Sequence, residues 1–137
     1  MVRQATLAKP ADSEKLTINL GFVDLGHIDL LVRHGFYSNR SDFIRTAIRN
    51  QLSVHADAAR QATSRLTLEL GLRTFTRADL EAVRASGERL RIRVLGLVVF
   101  ADDVPPELAR AAVESITVLG AMHAPASVKA ALADRLS

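Results

Sequence analysis

One short segment, Lys15-Leu16-Thr17-Ile18-Asn19-Leu20, limits this chain's folds more than any other. Polar and apolar residues alternate through it, the pattern of a strand with one buried face. Gly21 then breaks the pattern, and Leu25, Ile28, Leu31 and Val32 fall on one helical stripe that Gly35 closes as a left-handed cap. After Phe36-Tyr37-Ser38, Asn39 is a good N-cap, and Asp42 favours the helix dipole. Phe43, Ile44, Ala47, Ile48 and Leu52 supply a second apolar stripe, and the helix can run on through the alanine-rich Ala56–Ala62. A lone strand has nothing to pair with, and a strand-helix-helix segment over 15–52 has too little core to fold as a monomer. Pairing the strand with its copy in a second chain resolves both problems. The two strands form an antiparallel ribbon across a two-fold axis, with Leu16, Ile18 and Leu20 buried over four helices.

The other face of that ribbon carries Lys15, Thr17 and Asn19, successive members about 6.6 Å apart. Their side chains suit a guanine edge, a thymine methyl and an adenine edge, and a two-stranded ribbon fits the B-DNA major groove. An ordinary solvated strand face would read the same way. The second helix begins with Asn39-Arg40-Ser41, where free N–H groups and the positive dipole end can receive a phosphate. Simple capping and solubility are the alternative roles for these three residues. Together the two features supply base readout and phosphate clamping.

Bulk composition sets outer limits. The 137 residues carry a net charge of +3, which permits a polyanionic partner without demanding one. There is no cysteine, which excludes disulfides, thiolate metal sites and cysteine nucleophiles. No apolar run reaches the roughly 18 residues of a membrane span. The start, Met1-Val2-Arg3-Gln4-Ala5-Thr6, is too polar for a signal peptide, so a soluble cytoplasmic protein is expected. His27 and His34 lie about 10 Å apart along one helix, and His55 and His123 are isolated. No metal or other cofactor is expected. Neither a nucleophile-base arrangement nor a phosphate-cradling glycine loop is present, so the chain reads as a non-enzyme.

From about Arg65 the rhythm changes. Leu66-Thr67-Leu68-Glu69-Leu70-Gly71 resembles Leu90-Arg91-Ile92-Arg93-Val94-Leu95-Gly96 and Ile116-Thr117-Val118-Leu119-Gly120. Helical stretches are predicted at Arg77–Ala85, Pro105–Glu114 and Pro125–Leu136, with each proline in a first turn. A strand-helix period near 25 residues suggests three turns of a short solenoid on a small parallel sheet, or else an ordinary compact α/β domain. Arg89, Arg91 and Arg93 are expected on the open face of the middle strand, with Glu69 beside Arg93 as a cross-strand ion pair and Thr117 beyond. A second nucleic-acid surface is the less favoured reading of that basic stripe. Leu97-Val98-Val99-Phe100 is either internal or part of an interface.

The strand Lys15–Leu20, then Ile28-Asp29-Leu30-Leu31-Val32, Gly35 and Asn39-Arg40-Ser41-Asp42-Phe43-Ile44-Arg45-Thr46-Ala47-Ile48-Arg49, resembles the CopG/ribbon-helix-helix family of bacterial repressors. The resemblance implies base contacts from Lys15, Thr17 and Asn19 and phosphate contacts around Arg40 and Ser41, beside the capping Asn39 already placed with them. It covers residues 15–52 and says little about 65–137. Nickel-sensing members carry clustered metal ligands that have no counterpart here, and antitoxin members end in disordered tails, whereas this C-terminal half reads as folded.

The expected fold class is therefore α+β. A flexible arm (1–14) precedes the intertwined-dimer ribbon-helix-helix domain (15–52), a helical extension or linker (53–64) and a strand-helix repeat module (65–137). The expected partners are double-stranded DNA, a second copy of the chain, and a protein or higher oligomer through 65–137, with no membrane. The expected function is sequence-specific regulation of transcription, as a repressor. The alternative is an architectural or partition-type protein in which the C-terminal module drives assembly.

Overall fold

The computed structural model describes residues 13–137, so most of the arm predicted for 1–14 lies outside the described residues. The chain forms two compact units, one ending at Ala62 and the other running from Thr63 to Ser137. The boundary falls within a helix.

The first unit contains α1 (Phe22–Arg33) and α2 (Arg40–Val54). The chain leaves α1 through a Schellman motif centred on Gly35. The Gly35 N–H donates to the Val32 carbonyl at 3.1 Å and the Phe36 N–H to the Leu31 carbonyl at 3.0 Å. Gly35 takes φ 83°, which a side chain would resist. Asn39 caps α2 by accepting from the Asp42 N–H at 2.8 Å, and the Ser38 N–H donates to the Asp42 carboxylate at 2.9 Å. Tyr37 and Phe43 pack edge to face with centroids 5.0 Å apart, fixing the turn to α2. The helix does not run unbroken into the alanine-rich stretch: α2 ends at Val54, His55 interrupts it, and α3 spans Ala56–Arg65.

The second unit is a three-stranded parallel sheet in the order β1 (Glu69–Phe75), β2 (Leu90–Phe100), β3 (Val113–His123). The connecting helices are α4 (Arg77–Ser86) and α5 (Pro106–Ala112), and α6 (Ala126–Leu132) follows β3. Thr76 and Asp79 form a reciprocal capping box on α4. The hydrogen bonds it gives the Asp79 carboxylate, first from the Thr76 backbone, hold that group below its ordinary pKa. The core lies between one sheet face and the helices, where Ile92, Val94, Val98 and Phe100 of β2 meet Leu80, Leu108, Val128 and Leu132. Each such side chain contributes about 1.5–3 kcal/mol by leaving water. Phe75 and Phe100 stack at 5.4 Å across β1 and β2. The run 97–100 is mainly internal: Val98 and Phe100 are buried, Leu97 and Val99 half-buried.

Four sequence expectations need adjusting. The helix predicted to Leu136 ends at Leu132 and gives way to a 3-10 turn over Ala133–Arg135. Both Pro105 and Pro125 sit one residue earlier than predicted, as N-caps rather than in the first turn. The helix predicted to Glu114 stops at Ala112, because buried Val113 turns directly into β3 without a loop. The register also differs by one residue at β1. Glu69 pairs with Val94, while Arg93 does sit beside Thr117.

The glycines set this register, since Gly71, Gly96 and Gly120 stand side by side across the three strands. Each has a positive φ, 120°, 142° and 126° respectively. A Cβ on Gly96 would collide with the Gly71 carbonyl oxygen, and one on Gly120 with that of Gly96. The sequence repeat is therefore a column of close backbone approaches.

Candidate nucleic-acid interface

Residues 15–20 make no ladder within one chain and carry no regular secondary structure. Lys15, Thr17 and Asn19 are exposed, which leaves them accessible. The apolar alternates are exposed as well: Leu16 at 81 %, Ile18 at 53 % and Leu20 at 37 %. Ile28 alone is a buried hydrophobic among residues 13–62. Ile18 and Leu20 open onto a groove that Ile28 and Leu31 of α1 and Phe43, Ile44 and Ile48 of α2 line. The first unit thus presents its apolar stripes to solvent instead of closing over them.

At the start of α2 the three candidate phosphate-binding residues lie together but in different states. Asn39 spends its side-chain oxygen on the helix cap. Ser41 is exposed, and like Arg40 it offers a first-turn N–H that has no acceptor four residues back. Arg40 reaches across to α1, donating from Nε and Nη2 to the two carboxylate oxygens of Asp29, each at 2.8 Å. Sequence reasoning missed Asp29 as its partner. The signal lay in the spacing, since Asp29 sits one helical turn before Arg33 and faces the chain returning through Gly35. This two-pronged contact joins the helices and leaves three of the five guanidinium N–H donors for another acceptor.

The Asp29 carboxyl is held below the ordinary aspartate range, chiefly by the hydrogen bond from Arg40. Such a lowered folded-state pKa gives a stabilising contribution that is present above the unfolded aspartate value. It is lost as pH falls through the folded one. Asp29→Asn should therefore lower stability near neutrality and flatten the acid limb, the two proteins converging as pH falls from about 4 through the folded pKa. Urea midpoints across that range check it, and an unaltered acid limb would remove Asp29 from the account.

Basic residues of the second unit are occupied differently. Arg91 pairs with Glu114 at 2.8 Å, Arg73 with Glu69 at 2.8 Å, and Arg110 with Asp134 at 2.8 Å. Arg93 donates to the Leu66 carbonyl and the Thr67 hydroxyl, and Arg89 to the carbonyls of Arg110 and Val113. The expected Glu69–Arg93 pair is therefore replaced, because the glycine register moves Glu69 opposite Val94 and leaves it to Arg73. Glu69, Glu114 and Asp134 stand among these guanidinium groups and offset their charge, which disfavours a phosphate track.

Among the described residues, no three metal-ligating side chains converge, and no helix is long and apolar enough to cross a membrane. No curated protein and no solved structure matches the chain. A model of the ribbon-helix-helix transcriptional regulator family matches residues 11–129, which takes in the first unit and all three strands of the sheet. With the match extending over most of its length, the chain belongs to the ribbon-helix-helix transcriptional regulator family, whose members bind DNA.

Proposed function

We propose that the protein is a sequence-specific repressor that reads the major groove as a dimer and occludes a palindromic operator. One observation carries the reading: residues 13–62 bury a single hydrophobic side chain and leave Leu16, Ile18 and Leu20 exposed beside an apolar groove. A second copy supplies what is missing. Antiparallel pairing of the two 15–20 segments satisfies their backbone groups and turns the three apolar side chains inward. Lys15, Thr17 and Asn19 then face outward to the bases, while Asn39, Arg40 and Ser41 sit against phosphate. In this arrangement Arg40 keeps Asp29 and offers its remaining N–H donors, so the ion pair orients the phosphate clamp. Residues 15–52 are the reading head, 53–64 its helical extension and 65–137 an assembly module; the cell compartment is the cytoplasm.

Base-contacting and phosphate-contacting residues separate by experiment. Lys15→Ala and Thr17→Ala should each weaken binding to a selected operator by about 1–3 kcal/mol and hardly alter binding to random DNA. Arg40→Ala should weaken both alike and reduce the salt slope by roughly 1. Fluorescence titrations at several salt concentrations measure these quantities. Unchanged discrimination in both ribbon variants would exclude readout by the ribbon.

A second reading, an architectural or partition-type DNA-binding protein, is favoured by one feature. Among the described residues, nothing covers one apolar face of the second unit's sheet, and Leu70 and Leu72 are exposed there. Genome-wide binding distinguishes the two: a repressor occupies a few promoters, whereas an assembling protein spreads around clustered sites.

A further inference from the structure

We infer that the helix-free face of the β1-β2-β3 sheet packs against the same face of a second copy of this chain. All three helices and the buried side chains Val94, Val98 and Phe100 lie on one side of the sheet. On the other side, Leu70 and Leu72 of β1, Leu95 and Leu97 of β2, and Leu119 and Ala121 of β3 stand in two rows across the strands. Leu70, Leu72 and Leu119 are 74 %, 59 % and 51 % exposed. Parallel sheets are found almost entirely with both faces covered, and the described residues cover this one on one.

Size and charge identify the occupant. Three strands about 4.8 Å apart, over some five residues each, give a patch on the order of 250 Å². A stable association between free partners needs roughly 800 Å² from each. The patch is therefore too small to recruit a partner from solution, but it suffices for one already held close by. A second copy joined through the proposed dimeric head meets that condition, at an effective concentration on the order of millimolar. The six side chains are also uncharged, and Arg91 and Arg93 stand outside them at the start of β2. A two-fold contact sets the patch as a whole against its own copy, so a charge-free patch pairs with itself without repulsion. It offers nothing for a charged partner to select. The inference rests on the dimeric reading of the head.

The absence of native cysteine makes the test direct. Leu72→Cys is placed on the sheet face of the full-length chain, and Glu107→Cys, exposed on α5, serves as the control. Each variant is oxidised with copper phenanthroline at submicromolar concentration, and its mass is followed by sedimentation. Interchain disulfide formation at Leu72→Cys should be roughly tenfold faster or more than at Glu107→Cys. Adding Leu119→Glu, a change at an exposed position, should slow it to the control rate with the circular dichroism spectrum unchanged. Equal rates in a protein that sediments as a dimer would overturn the face pairing and leave the head reading intact. A protein that sediments as a monomer would overturn the head reading, and the face pairing with it.

Discussion

Gly96→Ala will cost the C-terminal unit about 4 kcal/mol or more, the range reached only by severe single changes. Two independent penalties combine at this position. The backbone there has φ 142°, a region that L side chains rarely adopt. The new methyl would also be driven into the Gly71 carbonyl, a backbone group with no rotamer to relieve the overlap. Relief requires β1 to move away from β2, which gives up the Glu69–Phe75 ladder and the stacking of Phe75 on Phe100. Gly71→Ala separates the two effects. Gly71 has φ 120°, yet nothing lies within 4 Å of its added methyl, so only the conformational cost of about 1–3 kcal/mol remains. Thermal melts followed by circular dichroism should show Gly96→Ala well below Gly71→Ala, with Gly120→Ala grouped with the former. Equal losses at positions 71 and 96 would mean that the close approach has no energetic weight.

That glycine column also marks how far the sequence could be read. The recurrence of an apolar strand ending in glycine at 71, 96 and 120 was visible as a period, and the period foretold parallel strands separated by helices. Its physical cause was not visible. A glycine in a strand pattern reports that something comes close, but only the neighbouring carbonyl shows what. The misplaced Glu69 follows from the same gap. Counting from the middle strand without anchoring on the glycines shifts β1 by one residue, and a one-residue slip exchanges every lateral neighbour. Local chemistry was easier to read. Gly35 and the Asn39 cap lie where backbone geometry requires them, because a cap depends on residues three or four positions away. The Asp29–Arg40 pair escaped because it spans the turn between two helices, and distance along the chain hides such contacts. The open apolar face of Leu70, Leu72 and Leu119 was hidden for another reason. Alternation reports that two faces exist, but a nearly continuous apolar run leaves open which face the helices cover.

Ile18→Asp should abolish the dimer and lower operator affinity at least about a hundredfold, equivalent to some 2.7 kcal/mol or more. The argument begins with what the single chain fails to do. Ile18 is 53 % exposed and opens onto the groove of Ile28, Leu31, Phe43, Ile44 and Ile48. In the proposed ribbon the same side chain is enclosed between two copies. Each aspartate would then have to enter an apolar site without a cationic partner, and symmetry places two of them in one small core. In a head that cannot close over its own apolar stripes, folding and association are linked, so the loss appears as a concentration-dependent shift towards monomer. DNA binding falls with it, because Lys15, Thr17 and Asn19 are held in order only while the strands are paired. Lys15→Ala is the companion variant: it removes a proposed base contact from the outer face and should leave the dimer at full strength. Sedimentation equilibrium and operator titration on the two variants separate the roles of the two faces. An Ile18→Asp protein that remains dimeric and still binds its operator would show that the 15–20 segments do not pair through this face.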